Sequence, residues 1–127
     1  MQIDYLTFPR SVLYYNYKER KNKSEREDNK MTIKKLARMP YAQAHVEIDD
    51  AGNIFLFSYT TLVCSIDTDG WLTCTGTYSQ TTRKHIGAFM AEYVTYPNGD
   101  HGTYYEAKRC YTENYRFNVE TGEVEDL

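Results

Sequence analysis

The chain has 127 residues, 41% of them hydrophobic and 26% charged, with a formal net charge of −3. That length suits one domain, and that balance excludes wholesale disorder. No apolar run approaches the roughly 18 residues of a spanning helix, and Met1–Arg10 lacks the basic start and apolar core of a leader, so a cytoplasmic protein without a membrane partner is expected.

Charge is unevenly placed. Residues 1–30 carry a net +2 and residues 31–127 a net −5, with most of the acidic excess after Ala91. A polyanion-binding domain normally shows a basic excess, so nucleic-acid affinity would need a local patch. Within the first 30 residues, Val12, Leu13, Tyr14, Tyr15 and Tyr17 form a sticky block. The run Lys18–Lys30 that follows has no apolar residue, so it reads as a solvated helix or a flexible tether. Residues 1–30 are therefore expected to be an extension, either an arm or a first helix packed through Val12, Leu13 and Tyr17. Residues 31–127 are expected to be a single α+β domain.

In the core, Ala44, Val46 and Ile48 alternate with Gln43, His45 and Glu47, a half-buried strand. Asp49-Asp50-Ala51-Gly52 fits a type I turn with a left-handed glycine bulge. It pairs Asp49 with Asn53, Ile48 with Ile54 and Val46 with Leu56. Asp67-Thr68-Asp69-Gly70 repeats that chemistry and pairs Ile66 with Leu72 and Cys64 with Cys74. Between the turns, residues 54–66 are one bent strand or two strands broken near Tyr59-Thr60-Thr61. Phe55 and Phe57 give the first half a second apolar face, which marks it as central. Ser79 then caps a helix over about 80–94, whose Ile86, Phe89, Met90 and Tyr93 form an apolar stripe. Strands are expected at Thr103–Tyr111 and Tyr115–Val119, with a turn at Glu120-Thr121-Gly122 leading into residues 123–127. The expected fold is a twisted antiparallel sheet of about five to six strands with one main helix on one face.

Candidate chemistry is sparse. Three cysteines cannot all pair within one chain, which favours a reducing compartment. Cys64 and Cys74 face each other across a hairpin, as core filler or as a cross-strand disulfide. No Cys-x-x-Cys knuckle, P-loop, dinucleotide fingerprint or EF-hand spacing occurs, so neither metal nor cofactor is expected. Ser79 and His85 share a stretch, but six residues on a helix set them more than a turn apart, and no nucleophile elbow is present. An enzyme is not expected.

Two surfaces remain. The helix start Ser79-Gln80-Thr81-Thr82-Arg83-Lys84-His85 offers free amide groups, hydroxyls and two cations, which suits a phosphate of a nucleotide or nucleic acid. Ser79, Thr81, Thr82, Arg83, Lys84 and His85 would form it; the plainer reading is a cap beside a solvated face. The second surface comes from the 13 tyrosines, of which Tyr93, Tyr96, Tyr104, Tyr105, Tyr111 and Tyr115 lie in the acidic portion. Tyrosine supplies rigid contact area with a polar tip and is enriched at protein interfaces. On a strand, Tyr104 and Tyr105 would face opposite sides of the sheet.

The segments Phe57-Ser58-Tyr59-Thr60-Thr61-Leu62-Val63 and Gly76-Thr77-Tyr78-Ser79-Gln80-Thr81-Thr82-Arg83-Lys84-His85-Ile86 together resemble a small domain of bacteriophages and plasmids of Gram-positive bacteria. That domain carries a Ser-Tyr-x-Thr-x-Val strand and a Tyr-Ser-x-Thr-Thr-x-x-His-Ile helix start. The resemblance covers roughly residues 41–95 and implies context rather than activity: a mobile element inside a bacterial cell, whose small acidic proteins often inhibit host defence enzymes. The expected function is a non-enzymatic accessory protein of the anti-CRISPR kind. It would dock a host protein or ribonucleoprotein through Tyr104, Tyr105, Glu106, Tyr111, Glu113 and Tyr115. The alternative is a nucleic-acid or nucleotide-phosphate module at Ser79–His85.

Overall fold

The computed structural model describes residues 31–76 and 79–127. The arm-or-helix expectation for residues 1–30 lies outside them, as do Thr77 and Tyr78 of the helix-start motif.

The described residues form seven strands: β1 (Thr32–Lys34), β2 (Ala44–Ile48), β3 (Ile54–Ser58), β4 (Thr61–Ile66), β5 (Trp71–Cys74), β6 (Tyr115–Asn118) and β7 (Val124–Asp126). They lie in one sheet in chain order, each antiparallel to its neighbours. Helices α1 (Gln80–Tyr93) and α2 (Tyr104–Thr112) are inserted between β5 and β6. The architecture is α+β, with more strands than expected and a second helix.

Both hairpin registers follow from turn chemistry. Ile48 pairs with Ile54 and Val46 with Leu56, while Cys64 pairs with Cys74 and Ile66 with Leu72. Gly52 and Gly70 sit at φ +102° and +90°, where a residue bearing a Cβ is strained. Asp49 Oδ1 accepts from the amides of Gly52 (2.9 Å) and Asn53 (2.8 Å); Asp67 Oδ1 does the same for Asp69 and Trp71, both at 2.9 Å. The span 54–66 resolves into two strands joined at Tyr59-Thr60. A register shift after Leu56 pairs Leu56 with Cys64 and Phe57 with Leu62, leaving Val63 as an extra residue. The bulge places Val63 and Cys64, adjacent in sequence, in the same core. Thr75 occupies the carbonyls it frees, its amide donating to Val63 O (3.0 Å) and its hydroxyl to Leu62 O (3.0 Å).

The segment 103–111 is not a strand. It is α2, and the physical reason is its start: Thr103 and Glu106 form a capping box, in which the Thr103 amide donates to Glu106 Oε1 at 3.2 Å. Ala107 and Cys110, three residues apart, face the core at 0% and 2% exposure. Thr103→Ala should therefore cost about 1 kcal/mol, the usual worth of such a cap, read as a lowered midpoint in denaturant unfolding with α2 otherwise intact.

The main core lies between the helices and one face of the sheet. Val46, Leu56, Val63, Cys64, Leu72, Ile86, Phe89, Met90 and Ala107 are all fully buried there. Between the helices, Gly102 permits a close approach, since an added Cβ would stand 2.8 Å from Val94 Cβ. Among the described residues, no helix is long and apolar enough to cross a membrane.

Candidate functional site

Strand alternation places Ser58 on the helix side of the sheet, at the end of β3, in line with Ile54 and Leu56. The start of α1 is pinned locally: Ser79 is the N-cap, and its Oγ accepts from the Thr82 amide at 3.3 Å. Helical spacing then turns Thr82, His85 and Ile86 to the same inward side. Ser58 Oγ meets both polar members of that side, 2.9 Å from Thr82 Oγ1 and 2.8 Å from His85 Nδ1. The Ser79 hydroxyl, donating to Thr82 Oγ1 at 3.3 Å, completes a four-residue chain of hydrogen bonds.

The network is enclosed. Ser58, Thr82 and His85 are 2%, 6% and 1% exposed. Burial lowers the His85 pKa, favouring neutral imidazole. Next to it the chain reverses through Tyr59 at φ +56°, in the left-handed region that costs a bulky residue about 1–2 kcal/mol. Two contacts hold it there: the Tyr59 amide donates to Gln43 O at 2.6 Å, and its ring lies 5.9 Å from the His85 ring. The phenol remains half exposed. The two motif segments, separate in sequence, thus form one apex: a buried polar clasp beneath a presented tyrosine.

A serine hydroxyl on an imidazole is also the opening of a nucleophilic arrangement. The serine is Ser58, not Ser79, and among the described residues no carboxylate is hydrogen-bonded to His85 to orient it. The clasp's evident work is to fasten α1 to the β3–β4 turn. A polar residue at an inward strand position was the available signal for Ser58.

Of the anion-binding candidates, Ser79 and Thr82 already serve the cap, and Thr82 and His85 point inward. Thr81, Arg83 and Lys84 are exposed. Of the interface candidates, helical geometry separates Tyr104 from Tyr105 by about 100° rather than placing them across a sheet. Tyr104 is half-buried against the core and Tyr105 is 69% exposed. Glu106 turns inward to the capping box and accepts from the Tyr96 hydroxyl at 2.8 Å. Burial pushes its carboxyl upward, but the hydrogen bonds from Thr103 and Tyr96 outweigh that and hold it below the usual range. Tyr111 is 36% exposed, Glu113 lies 3.4 Å from Arg109, and Tyr115 is buried on β6.

The cysteines converge more than their spacing suggested. The Cys64 thiol is raised by its hydrogen bond to Cys74 and by burial, and burial pushes Cys110 up to about 12. All three are buried and form no disulfide, and the raised Cys64 and Cys110 thiols stay in the protonated, unreactive form. Among the described residues no group of His, Cys, Asp and Glu is arranged to hold a metal ion.

Fold and site together define a class: an antiparallel meander with two helices on one face and a polar clasp joining helix to turn. The chain belongs to a family of unknown function, DUF8033, whose model matches residues 17–107. The match takes in the charged run after Tyr17, the whole apex and the first turn of α2. No curated protein and no solved structure matches the chain.

Proposed function

We propose that the protein acts without catalysis, as a mobile-element accessory protein that docks on a host protein and inhibits it, in the manner of an anti-CRISPR protein. The observation that carries the docking surface is Tyr105. It is 69% exposed on a helix that a capping box, Ala107 and Cys110 hold rigidly against the core. A large aromatic ring presented on a fixed element costs little entropy to immobilise and is a typical anchor of protein interfaces. Lys108 and Arg109 follow it at one helical turn, while Glu106 is committed internally. The surface is therefore aromatic with Lys108 beside it and Arg109 paired to Glu113 at 3.4 Å, so charges of both signs border the rings. The mobile-element context rests on the motif resemblance of residues 41–95.

The alternative, a nucleic-acid or nucleotide module, draws on one feature. The first turn of α1 carries no acidic side chain and exposes Thr81, Arg83 and Lys84. One experiment separates the two readings: affinity capture from bacterial host extract with the full chain and with Tyr105→Ala/Tyr111→Ala, half of each sample nuclease-treated. The docking reading expects a nuclease-resistant partner whose capture falls at least about tenfold in the variant. Unchanged capture by the variant rejects that surface. Loss of all partners after nuclease favours the nucleic-acid reading, whose affinity must also fall steeply with salt.

A further inference from the structure

Two of the three cysteines occupy a particular position of the β4–β5 ladder. Cys64 and Cys74 are direct partners, in the same core as Ile66 and Leu72. Antiparallel partners alternate between pairs that exchange backbone hydrogen bonds and pairs that do not. On one side of the cysteines the Asp67 amide donates to Trp71 O at 3.1 Å, and on the other the Thr75 amide donates to Val63 O at 3.0 Å. Alternation between those bonds makes Ser65 with Thr73 a bonded pair and Cys64 with Cys74 a non-bonded one. There the Cα atoms of partners stand about 4.5 Å apart and the side chains come closest. A disulfide needs Cα atoms about 4.4–6.8 Å apart, so the strands accept one without shifting. The two thiols already meet in a hydrogen bond. Cys110 is turned elsewhere, its Sγ donating to Leu72 O at 3.8 Å.

We propose that Cys64 and Cys74 are a redox-responsive pair, a dithiol under reducing conditions that closes to a cross-strand disulfide when small disulfides accumulate. The chemistry is thiol–disulfide exchange with a low-molecular-weight disulfide of the glutathione class. Cys74 is the entry point: it ends β5 and is 6% exposed, whereas Cys64 has no exposed surface. The Cys74 thiolate attacks one sulfur of the small disulfide, forming a mixed disulfide and releasing one small thiol. Cys64 then gives up its proton and displaces the second. Two cysteine thiols are oxidised, one small disulfide is reduced to two thiols, and the protons end on the departing sulfurs. Burial makes the first step slow, while the facing position makes the second intramolecular and favourable. The bond has a structural consequence as well. β4 leaves the Tyr59 turn and β5 leads to the Ser79 cap of α1, so closure fastens together the two strands that carry the apex. The proposal is independent of the docking function above.

The test uses the full chain. Reduced protein is equilibrated under native conditions in buffers of graded oxidised-to-reduced glutathione ratio, then denatured and alkylated. The expected product takes one alkyl group in place of three. Peptide mapping places its cross-link between Cys64 and Cys74, and its amide NMR pattern stays native away from β4 and β5. Its unfolding midpoint in denaturant rises above that of the reduced form, because the bond restricts the unfolded chain, and returns on addition of a dithiol. Cys110→Ala is expected to form the same cross-link and Cys74→Ala to form none; mapping of the unaltered chain decides even where a variant fails to fold. Three alkylated thiols at every ratio overturn the proposal, as do a mixed disulfide that goes no further and a cross-link through Cys110. A lowered midpoint, or closure only with loss of the native NMR pattern, overturns it too, since the folded strands then do not accept the bond.

Discussion

Phe89→Ala is expected to cost about 3–5 kcal/mol, the range for removing a fully enclosed aromatic ring. Phe89 has no exposed surface and heads the largest fully buried side chains. It lies at the centre of the α1 stripe, between Ile86 and Tyr93, with its ring 5.2 Å from that of Tyr93. Because it joins helix to sheet, the void left behind has rigid walls on both sides and collapses poorly. Total stabilities of about 5–15 kcal/mol are usual for single domains, so one substitution removes a large fraction. Denaturant unfolding of the variant reads this directly, and a loss below about 1 kcal/mol would mean that α1 does not pack on the sheet as described.

The second large effect belongs to the clasp. His85→Ala is expected to cost about 2–4 kcal/mol, combining an enclosed void with a Ser58 hydroxyl that loses its imidazole partner away from water. The same residue gives stability an acid limb. Burial lowers the His85 pKa below the ordinary 6.5, so between the two values the unfolded chain binds more protons than the folded one. Stability is then complete above pH 6.5 and falls as pH drops below it, by at most about 1.4 kcal/mol per pH unit. Glu106 adds its own loss only as pH falls through about 4.5, because its carboxyl is lowered in the fold. The interval from pH 5 to 6.5 therefore isolates the histidine contribution. His85→Asn should flatten stability across that interval; a limb of unchanged slope would show that the imidazole is not enclosed in its neutral form.

How much was legible in advance depended on the range of the interaction. The Asp49–Gly52 and Asp67–Gly70 turns set strand register through contacts within five residues, and alternation on both flanks agreed with them. The α1 stripe likewise lies within four helical turns and shows its period directly. The segment 103–111 is helical and not the expected strand because the decisive feature is a two-residue cap, Thr103 with Glu106, backed by Ala107 and Cys110 at helical spacing. That signal lies in the sequence itself, although tyrosines by preference favour strands. Correcting it changes the interface: Tyr105 and Tyr111 keep an outward share, whereas Tyr104, Glu106 and Tyr115 turn inward.

By itself, then, the sequence determined the hairpins, their apolar faces, the capped first helix and the absence of any local metal or nucleotide fingerprint. Such features arise from backbone dihedral limits and periodic burial, which act over a few residues. Only the tertiary structure decided that Ser58 reaches His85 across 27 positions, that Tyr59 is held in a left-handed turn above them, and that three cysteines share one core. Those contacts depend on where α1 and α2 settle on the twisted sheet, a position set by the fit of many side chains at once and written in no single segment.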